Sequence, residues 1–317
     1  MKTRGITEGA MFCALAVILA LASFYIPFLV IFMFFIPVPM VVLGKRHGLM
    51  VSIIASLAAT IIIGLFLGPI NAISYGILLF FVGCSLGYAY YRNVGPIQKI
   101  IVGYIGFALV VIAVIVSYQL LMGVSFTTFL FQTFEASSQD VMAMYKNTGV
   151  MDANQLLLMK ESMDAQMITM KMIIPSAVLL LPLAFGVVNV ASCDAILKRL
   201  GYTVKGIKPL KDWRMPKSLK YFLFIFLMGS FLISIFQVTA IPEIYITNIM
   251  NLVYLVYFIM GLSLIFDIMA YKKLTNKGLK VLVVFLALLL QFVVTMIGLA
   301  DTYMEIRKIF RKESEAK

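Results

Sequence analysis

Charged residues are scarce in this chain. Asp, Glu, Lys and Arg make up 13% of its 317 residues, whereas 62% are hydrophobic and the mean hydropathy is +1.04. A typical soluble domain carries about 25% charged residues, which keep its surface hydrated. A chain this apolar could not cover itself with charge in water. The sequence therefore excludes an ordinary soluble fold and predicts that lipid surrounds most of the protein.

Cysteine and histidine are also rare. The three cysteines, Cys13, Cys84 and Cys193, lie in or beside apolar runs, and the one histidine is His47 in a basic turn. This set gives neither a disulfide framework nor a zinc motif, and the sequence contains no HExxH or P-loop pattern. We therefore expect no metal site, no cofactor and no catalytic residue, and interpret the protein as a non-enzyme.

Nine apolar runs approach the length of about 20 residues that crosses a bilayer as a helix. Strands cannot satisfy their backbone hydrogen bonds singly in lipid, so we expect every run to be helical. The sequence predicts an all-α, polytopic transmembrane bundle of eight or nine spans, the number depending on whether the first two runs merge or one run is re-entrant. The runs are Ala10–Tyr25, Pro27–Leu43, Leu49–Leu67, Ile70–Tyr90, Ile97–Met122, Met172–Val190, Leu219–Val238, Ile244–Ala270 and Lys280–Leu299.

Lys and Arg are concentrated in alternate loops between these runs. With the N-terminus inside, most of the 26 basic residues lie on the inner side, as the positive-inside rule requires. The net charge of +12 then reflects orientation and anionic headgroups, and we expect no nucleic acid partner. The predicted location is the bacterial plasma membrane, with a cytoplasmic N-terminus.

Uncharged polar side chains within the runs are the candidate ligand-binding residues. Polar groups at membrane depth must face protein or a polar cavity. Two readings stay open for them: hydrogen bonds between helices, worth about 0.6–2 kcal/mol each, or a pocket near the outer mouth for a small polar molecule. The residues are Asn71, Ser74 and Tyr75 on one helix face, and Asn248, Asn251 and Tyr254 on another.

Acidic residues of the runs lie near their ends. Glu8 and Asp194 are interpreted as peripheral, and Asp267 is predicted to pair with Lys272 and Lys273 near the membrane surface. None of these carboxylates has the midplane position typical of a proton relay.

The first run carries small residues at helical spacing. Ala10 and Ala14 form one pair, and Ala16 and Ala20 form another. Such pairs allow a second helix, from this chain or from another subunit, to approach closely.

The N-terminal part resembles the S components of energy-coupling factor transporters. The resemblance is carried by Thr7–Pro27, Pro37–Pro39, Leu43–Gly48 and Gly64–Pro69, with Lys45 where that family has proline. It implies a six-helix core whose first helix contacts a coupling subunit, a separate ATPase, and a small polar or vitamin-like ligand taken from outside. A solute-binding or transport subunit is the leading hypothesis.

The whole layout, including the ending Gly298–Lys308, resembles the YybS-like family of bacterial integral membrane proteins. We predict an S-component-like core over residues 1–195 with an outer loop at 123–171, a basic cytoplasmic loop at 196–218, C-terminal transmembrane helices at 219–300 and a polar tail at 301–317. The basic loop contains Trp213, the only tryptophan, which is typical of an interfacial anchor. The alternative function is a non-catalytic scaffold that recruits envelope or signalling partners through this loop.

Overall fold

The computed structural model describes residues 3–236, 241–274 and 276–308. Within these ranges the chain is helical and contains no strand, so the predicted all-α class is confirmed. The end of the Leu219–Val238 run and residues 309–317 of the predicted tail lie outside them. The α-helices are α1 (Thr3–Tyr25), α2 (Val38–His47), α3 (Leu49–Leu67), α4 (Pro69–Leu78), α5 (Ser85–Tyr91), α6 (Pro96–Met122), α7 (Phe126–Thr148), α8 (Ala153–Arg199), α9 (Lys217–Ile235), α10 (Glu243–Tyr271), α11 (Lys277–Leu289) and α12 (Gln291–Met304).

The number of membrane spans is smaller than predicted. In the described ranges six helices are long and apolar enough to cross a bilayer, and α11 with α12 makes up to a seventh that is bent by 99°. The run Pro27–Leu43 does not form one long helix, because three prolines divide it into a 3₁₀ segment, Pro27–Phe35, and the ten-residue α2. A helix of that length spans only about 15 Å.

The buried and exposed side chains of the span α3 indicate which solvent surrounds the protein. Ser52 and Ser56 are buried, whereas Ile61 and Leu65 are exposed, Leu65 to 80%. Small polar groups therefore point into the protein, where Ser52 Oγ donates to the carbonyl of Met40 (2.9 Å). Large apolar groups point outward, the reverse of a water-soluble helix and the arrangement expected in contact with lipid.

The chain separates into two compact units. The first comprises Met1–Lys171 and Ala177–Ile207, and the second comprises Met172–Ser176 and Lys208–Lys317. The core of the first unit is built from α1 to α6 and the C-terminal part of α8, whereas the second has a smaller core around Tyr257 of α10. The predicted boundaries at 195, 218 and 300 stay predictions.

Residues 123–171, predicted as an outer loop, are helical over most of their length. Ser125 Oγ accepts a hydrogen bond from the Thr128 amide (3.0 Å) and caps α7, which ends at Thr148 and is followed by Gly149 in a left-handed conformation (φ 66°). Asp152 caps the 47-residue α8, which continues from this segment into the next apolar run. A polar surface does not prevent a helix that is capped at both ends, and the predicted outer position of this segment stays a prediction.

The two alanine pairs of α1 have different surroundings. Ala16 and Ala20 are fully buried where α1 packs on α2 and α3, whereas Ala10 and Ala14 are exposed. Ala16 and Ala20 therefore serve helix packing within this chain. The predicted contact of Ala10 and Ala14 with a partner helix stays a prediction.

We expect Ala16→Leu to destabilise the protein by about 1–3 kcal/mol, because the added atoms overpack a filled helix contact. Ala14→Leu, on the exposed side of the same helix, is the matched control and should leave stability unchanged. Thermal unfolding in a mild detergent distinguishes them. Equal melting temperatures for the two variants would contradict the assigned faces of α1.

Candidate functional site

The site begins where α2 crosses α5 at two glycines. A Cβ atom on Gly44 would lie 2.8 Å from the Cα of Gly87, and one on Gly83 would lie 2.8 Å from the Cβ of Met40. Such close approach requires glycine on both helices. The crossing brings Lys45, the residue after Gly44, beside the end of α5.

The end of α5 supplies the acceptors for Lys45. Asn93 adopts a left-handed conformation (φ 54°), and the amides of Asn93 and Val94 donate to Tyr90 O (3.1 Å) and Ala89 O (3.2 Å). This pattern is a Schellman motif, and asparagine tolerates its left-handed position. Lys45 Nζ donates to Tyr90 O (3.0 Å) and Asn93 Oδ1 (2.7 Å), both uncharged acceptors.

A buried ion pair forms the inner wall of the site. Lys99 Nζ lies 2.6 Å from Asp194 Oδ1, and these side chains are 1% and 8% exposed. Tyr90 donates its hydroxyl to the same oxygen (2.7 Å) and has Lys99 over its ring (4.4 Å). The charges are thus paired and hydrogen-bonded, which a buried ion pair requires.

The chain after α8 closes the other side. Gly201 (φ 84°) ends the helix, and the Tyr202 amide donates to Leu197 O (3.0 Å), so the chain turns back along α8. The Ile207 amide then donates to Asp194 Oδ2 (3.2 Å), and Lys205 O accepts from Lys99 (2.8 Å). The basic segment is therefore fixed against the ion pair.

Together these residues form a half-open cavity of about 360 Å³, which we call the Lys45–Lys99 cavity. It is lined by Lys45, Tyr90, Asn93, Lys99 and residues 203–205, among others. Burial, followed by repulsion from Lys99, lowers the pKa of the Lys45 ammonium. Among the described residues no carboxylate forms an ion pair with Lys45. The cavity therefore has an excess of positive charge.

Sequence reasoning missed this site because it treated each charge separately. Asp194 was interpreted as peripheral, yet it is buried and accepts from Lys99, Tyr90 and Ile207. The sequence does contain a signal for this pair, because helical spacing places Lys99 on the same helix face as Gly103, and Asp194 on the same helix face as Gly186. A Cβ on Gly103 would lie 3.3 Å from the Cα of Gly186, so these faces touch.

The pattern Gly-Cys-Ser-Leu-Gly at residues 83–87 has the GxSxG spacing of a hydrolase nucleophile elbow. That elbow is a sharp turn between a strand and a helix. Here the pattern lies within the helical stretch Pro69–Tyr91, where Ser85 Oγ donates to the carbonyls of Phe81 and Val82. Gly83 and Gly87 serve helix packing instead. His47, which is the one histidine of the sequence, has its ring Nε2 atom 3.0 Å from Glu8 Oε2.

Asn71, Ser74 and Tyr75 lie in the first two turns of α4. Asn71 and Ser74 each donate to the carbonyl four residues earlier, at 2.8 and 3.2 Å, and the Tyr75 hydroxyl lies 3.5 Å from Ser23 Oγ. The space beside Ser74 measures about 10 Å³, enough for about one water molecule. Ligand binding by this trio stays a prediction.

Asn248 and Asn251 bind the backbone and side chains of another helix. Asn248 Nδ2 donates to Met172 O (2.7 Å), and its Oδ1 accepts from the Ser176 amide (2.6 Å). One side-chain amide thus bridges residues i and i+4 of α8 as a peptide group would. Asn251 Nδ2 donates to Ser176 Oγ (3.1 Å), and Tyr254 is exposed. These are hydrogen bonds between helices, and ligand binding by these three residues also stays a prediction.

Asp267 has a partner that the sequence prediction did not include. Arg214 Nη2 donates to Asp267 Oδ2 (3.3 Å). Glu8 is bound by Arg46 and by His47, each at 3.0 Å. In the part of the chain that the structure describes, no cluster of three or more His, Cys, Asp or Glu side chains is placed to hold a metal ion.

Comparison with known proteins gives a consistent assignment. The family described as "Predicted membrane protein (DUF2232)" matches residues 14–302. The "Uncharacterized protein YybS" of Bacillus subtilis (strain 168) is 27% identical over 290 residues, which cover 90% of this chain and 90% of that protein. No solved structure matches. The predicted YybS-like identity is confirmed.

Proposed function

Because the chain belongs to the DUF2232 family of predicted membrane proteins, we propose that it acts as a multi-pass solute-binding subunit in the bacterial plasma membrane. Its N-terminus lies in the cytoplasm and it has no catalytic activity of its own. The ligand is a small polar molecule with an anionic group, bound in the Lys45–Lys99 cavity.

The charge and size of this cavity carry the proposal. A volume of about 360 Å³ falls within the range of about 300–1,000 Å³ usual for small-molecule sites. Asp194 already accepts three hydrogen bonds, whereas both acceptors of Lys45 among the described residues are uncharged. An anion beside Lys45 would offset its repulsion from Lys99.

The site also differs in position from the pocket predicted at the outer mouth. Lys45, Asn93 and Lys205 lie in loops or helix ends assigned to the inner side by their Lys and Arg content. We therefore place the ligand at the cytoplasmic side, entering or leaving there. The aromatic ring of Tyr202 contacts two of the cations on this side, because Lys45 and Arg46 each lie 5.9 Å from its ring centre.

A transport role requires partners, and we propose a coupling subunit with a separate ATPase. The absence of a P-loop pattern in this sequence and the resemblance of residues 1–195 to S components support that arrangement. The exposed side of α1 at Ala10 and Ala14 is the surface we assign to the coupling subunit.

Small anions should raise the melting temperature of the detergent-solubilised protein, and Lys45→Gln should abolish the effect. Inorganic phosphate and succinate, each compared with chloride at equal ionic strength, are suitable probes. A ligand at 100 times its Kd stabilises the folded state by about 2.7 kcal/mol. Lys45→Gln removes the ammonium without touching the buried Lys99–Asp194 pair.

Lys272→Gln is the matched control, since it removes one exposed lysine from the other unit. It should keep the full response to phosphate or succinate. If neither probe stabilises the wild-type protein beyond chloride, or if Lys45→Gln responds like the wild type, the proposed site is wrong.

A further inference from the structure

The second unit contains its own cavity of about 360 Å³, where α9 begins and α12 ends. We call it the α9–α12 cavity. Five of its lining side chains are Lys or Arg and two are Asp or Glu. It therefore also has an excess of positive charge, next to the end of the basic loop that is predicted to be cytoplasmic.

Arg307 forms a fixed wall of this cavity. Its side chain is 7% exposed, and its Nε lies 2.6 Å from Asp301 Oδ2. Its remaining nitrogens donate to Trp213 O (3.2 Å), Met260 O (3.3 Å) and Ser263 Oγ (3.2 Å). With its charge neutralised and its donors used, Arg307 shapes the cavity without being available to a ligand.

The positive charge that is available to a ligand comes from the first turn of α9. Lys308 pairs with Glu305 (2.5 Å), whereas Lys217 and Lys220 form no ion pair with a described acidic residue. Lys220 Nζ lies 5.2 Å from the ring centre of Tyr303. The pKa of Glu305 is lowered first by its hydrogen bond with Lys308, and further by the charges of Lys220 and Lys217. The field of both lysines therefore reaches the mouth of the cavity.

An exposed apolar surface continues directly from these lysines. Tyr221 lines the cavity and is 64% exposed, the adjacent Phe222 is 64% exposed, and Ile225, one turn after Tyr221, is 71% exposed. Trp213, typical of a membrane interface, precedes them. A ligand that fills the basic cavity and also covers this apolar surface has an anionic head and an apolar body.

We propose that the α9–α12 cavity binds the phosphate headgroup of an anionic phospholipid, with Lys217 and Lys220 supplying the charge and the acyl chains lying on the exposed side of α9. The phosphodiester oxygens accept from the two ammonium groups. The paired Arg307 and Asp301 keep the cavity open by fixing α12 to the loop before α9.

Native mass spectrometry of the full chain in mild detergent tests this proposal. Phosphatidylglycerol should bind more tightly than phosphatidylcholine, whose choline cancels the phosphate charge. The double variant Lys217→Gln, Lys220→Gln should weaken phosphatidylglycerol binding about 25-fold, at about fivefold for each lysine near a membrane surface. Lys217→Arg with Lys220→Arg should retain binding, which guards against a loss caused by misfolding.

Lys272→Gln with Lys273→Gln removes the same charge from the exposed end of α10 and should leave binding unchanged. Lys45→Gln should also have no effect, so this site can hold or fail independently of the Lys45–Lys99 cavity. Equal binding of the two lipids, or an equal loss in both double Gln variants, would overturn the proposal. Binding of glycerol 1-phosphate as tight as that of the lipid would instead show a site for a soluble phosphate, and the lipid assignment would be wrong.

Discussion

Lys99→Met is expected to destabilise the first unit by about 3–5 kcal/mol, because it leaves a buried carboxylate without its cation. Asp194 would keep its hydrogen bonds from Tyr90 and Ile207, but its charge would no longer be paired. The pair joins residues 95 positions apart in the sequence, on α6 and α8, so its loss should loosen the whole inner wall of the cavity. The measurement is the free energy of unfolding in a titration of denaturing detergent into mild micelles.

Two variants separate this effect from a general loss of charge. Arg4→Gln also removes a cation from an ion pair, with Glu8, but Arg4 is 85% exposed and should be dispensable. Lys99→Met with Asp194→Leu removes both charges and should recover most of the lost stability, since an apolar pair of similar volume replaces a buried ion pair at little cost. A single Lys99→Met variant as stable as Arg4→Gln would show that the pair is not buried in the membrane-embedded protein.

The helices were predictable because length and apolar content alone identify a stretch that lipid can accommodate. The run Leu49–Leu67 became α3 with the same bounds. The prediction was wrong where backbone chemistry interrupts an apolar stretch. Prolines interrupt the run Pro27–Leu43, and Lys280–Leu299 bends between α11 and α12 at Leu290. Hydropathy does not register either feature.

The candidate site was less predictable, because it depends on contacts between distant helices. Lys45 and Asn93 meet only through the Gly44–Gly87 crossing, and Lys99 meets Asp194 only through the Gly103–Gly186 contact. Each glycine is visible in the sequence, but its partner is not. The amides of Asn248 and Asn251 show the same dependence, since the sequence places them on one helix face but does not show that they bind a neighbouring helix.

The crossing of α10 and α12 leads to the second large expected effect. A Cβ on Gly298 would collide with the carbonyl oxygen of Tyr257 and the amide nitrogen of Gly261, and one on Gly261 would lie 3.0 Å from the Gly298 nitrogen. The obstructing atoms are backbone, which cannot move aside as a flexible side chain can. Gly298→Ala should therefore cost about 3 kcal/mol or more, at or above the usual range for overpacking.

The same substitution should also disturb the α9–α12 cavity, because Asp301 and Thr302 follow Gly298 by one turn on α12. Gly229→Ala is the matched control: a Cβ there meets no atom of the residues that the structure describes within 4 Å, and alanine in a helix interior gains about 0.5–1 kcal/mol over glycine. The free energy of unfolding and the affinity for phosphatidylglycerol, measured on both variants, should both fall in Gly298→Ala. Neither should fall in Gly229→Ala. Weak lipid binding by a Gly298→Ala protein of normal stability would show that the helix position matters beyond folding, whereas normal values of both would show that α10 and α12 are further apart than this structure places them.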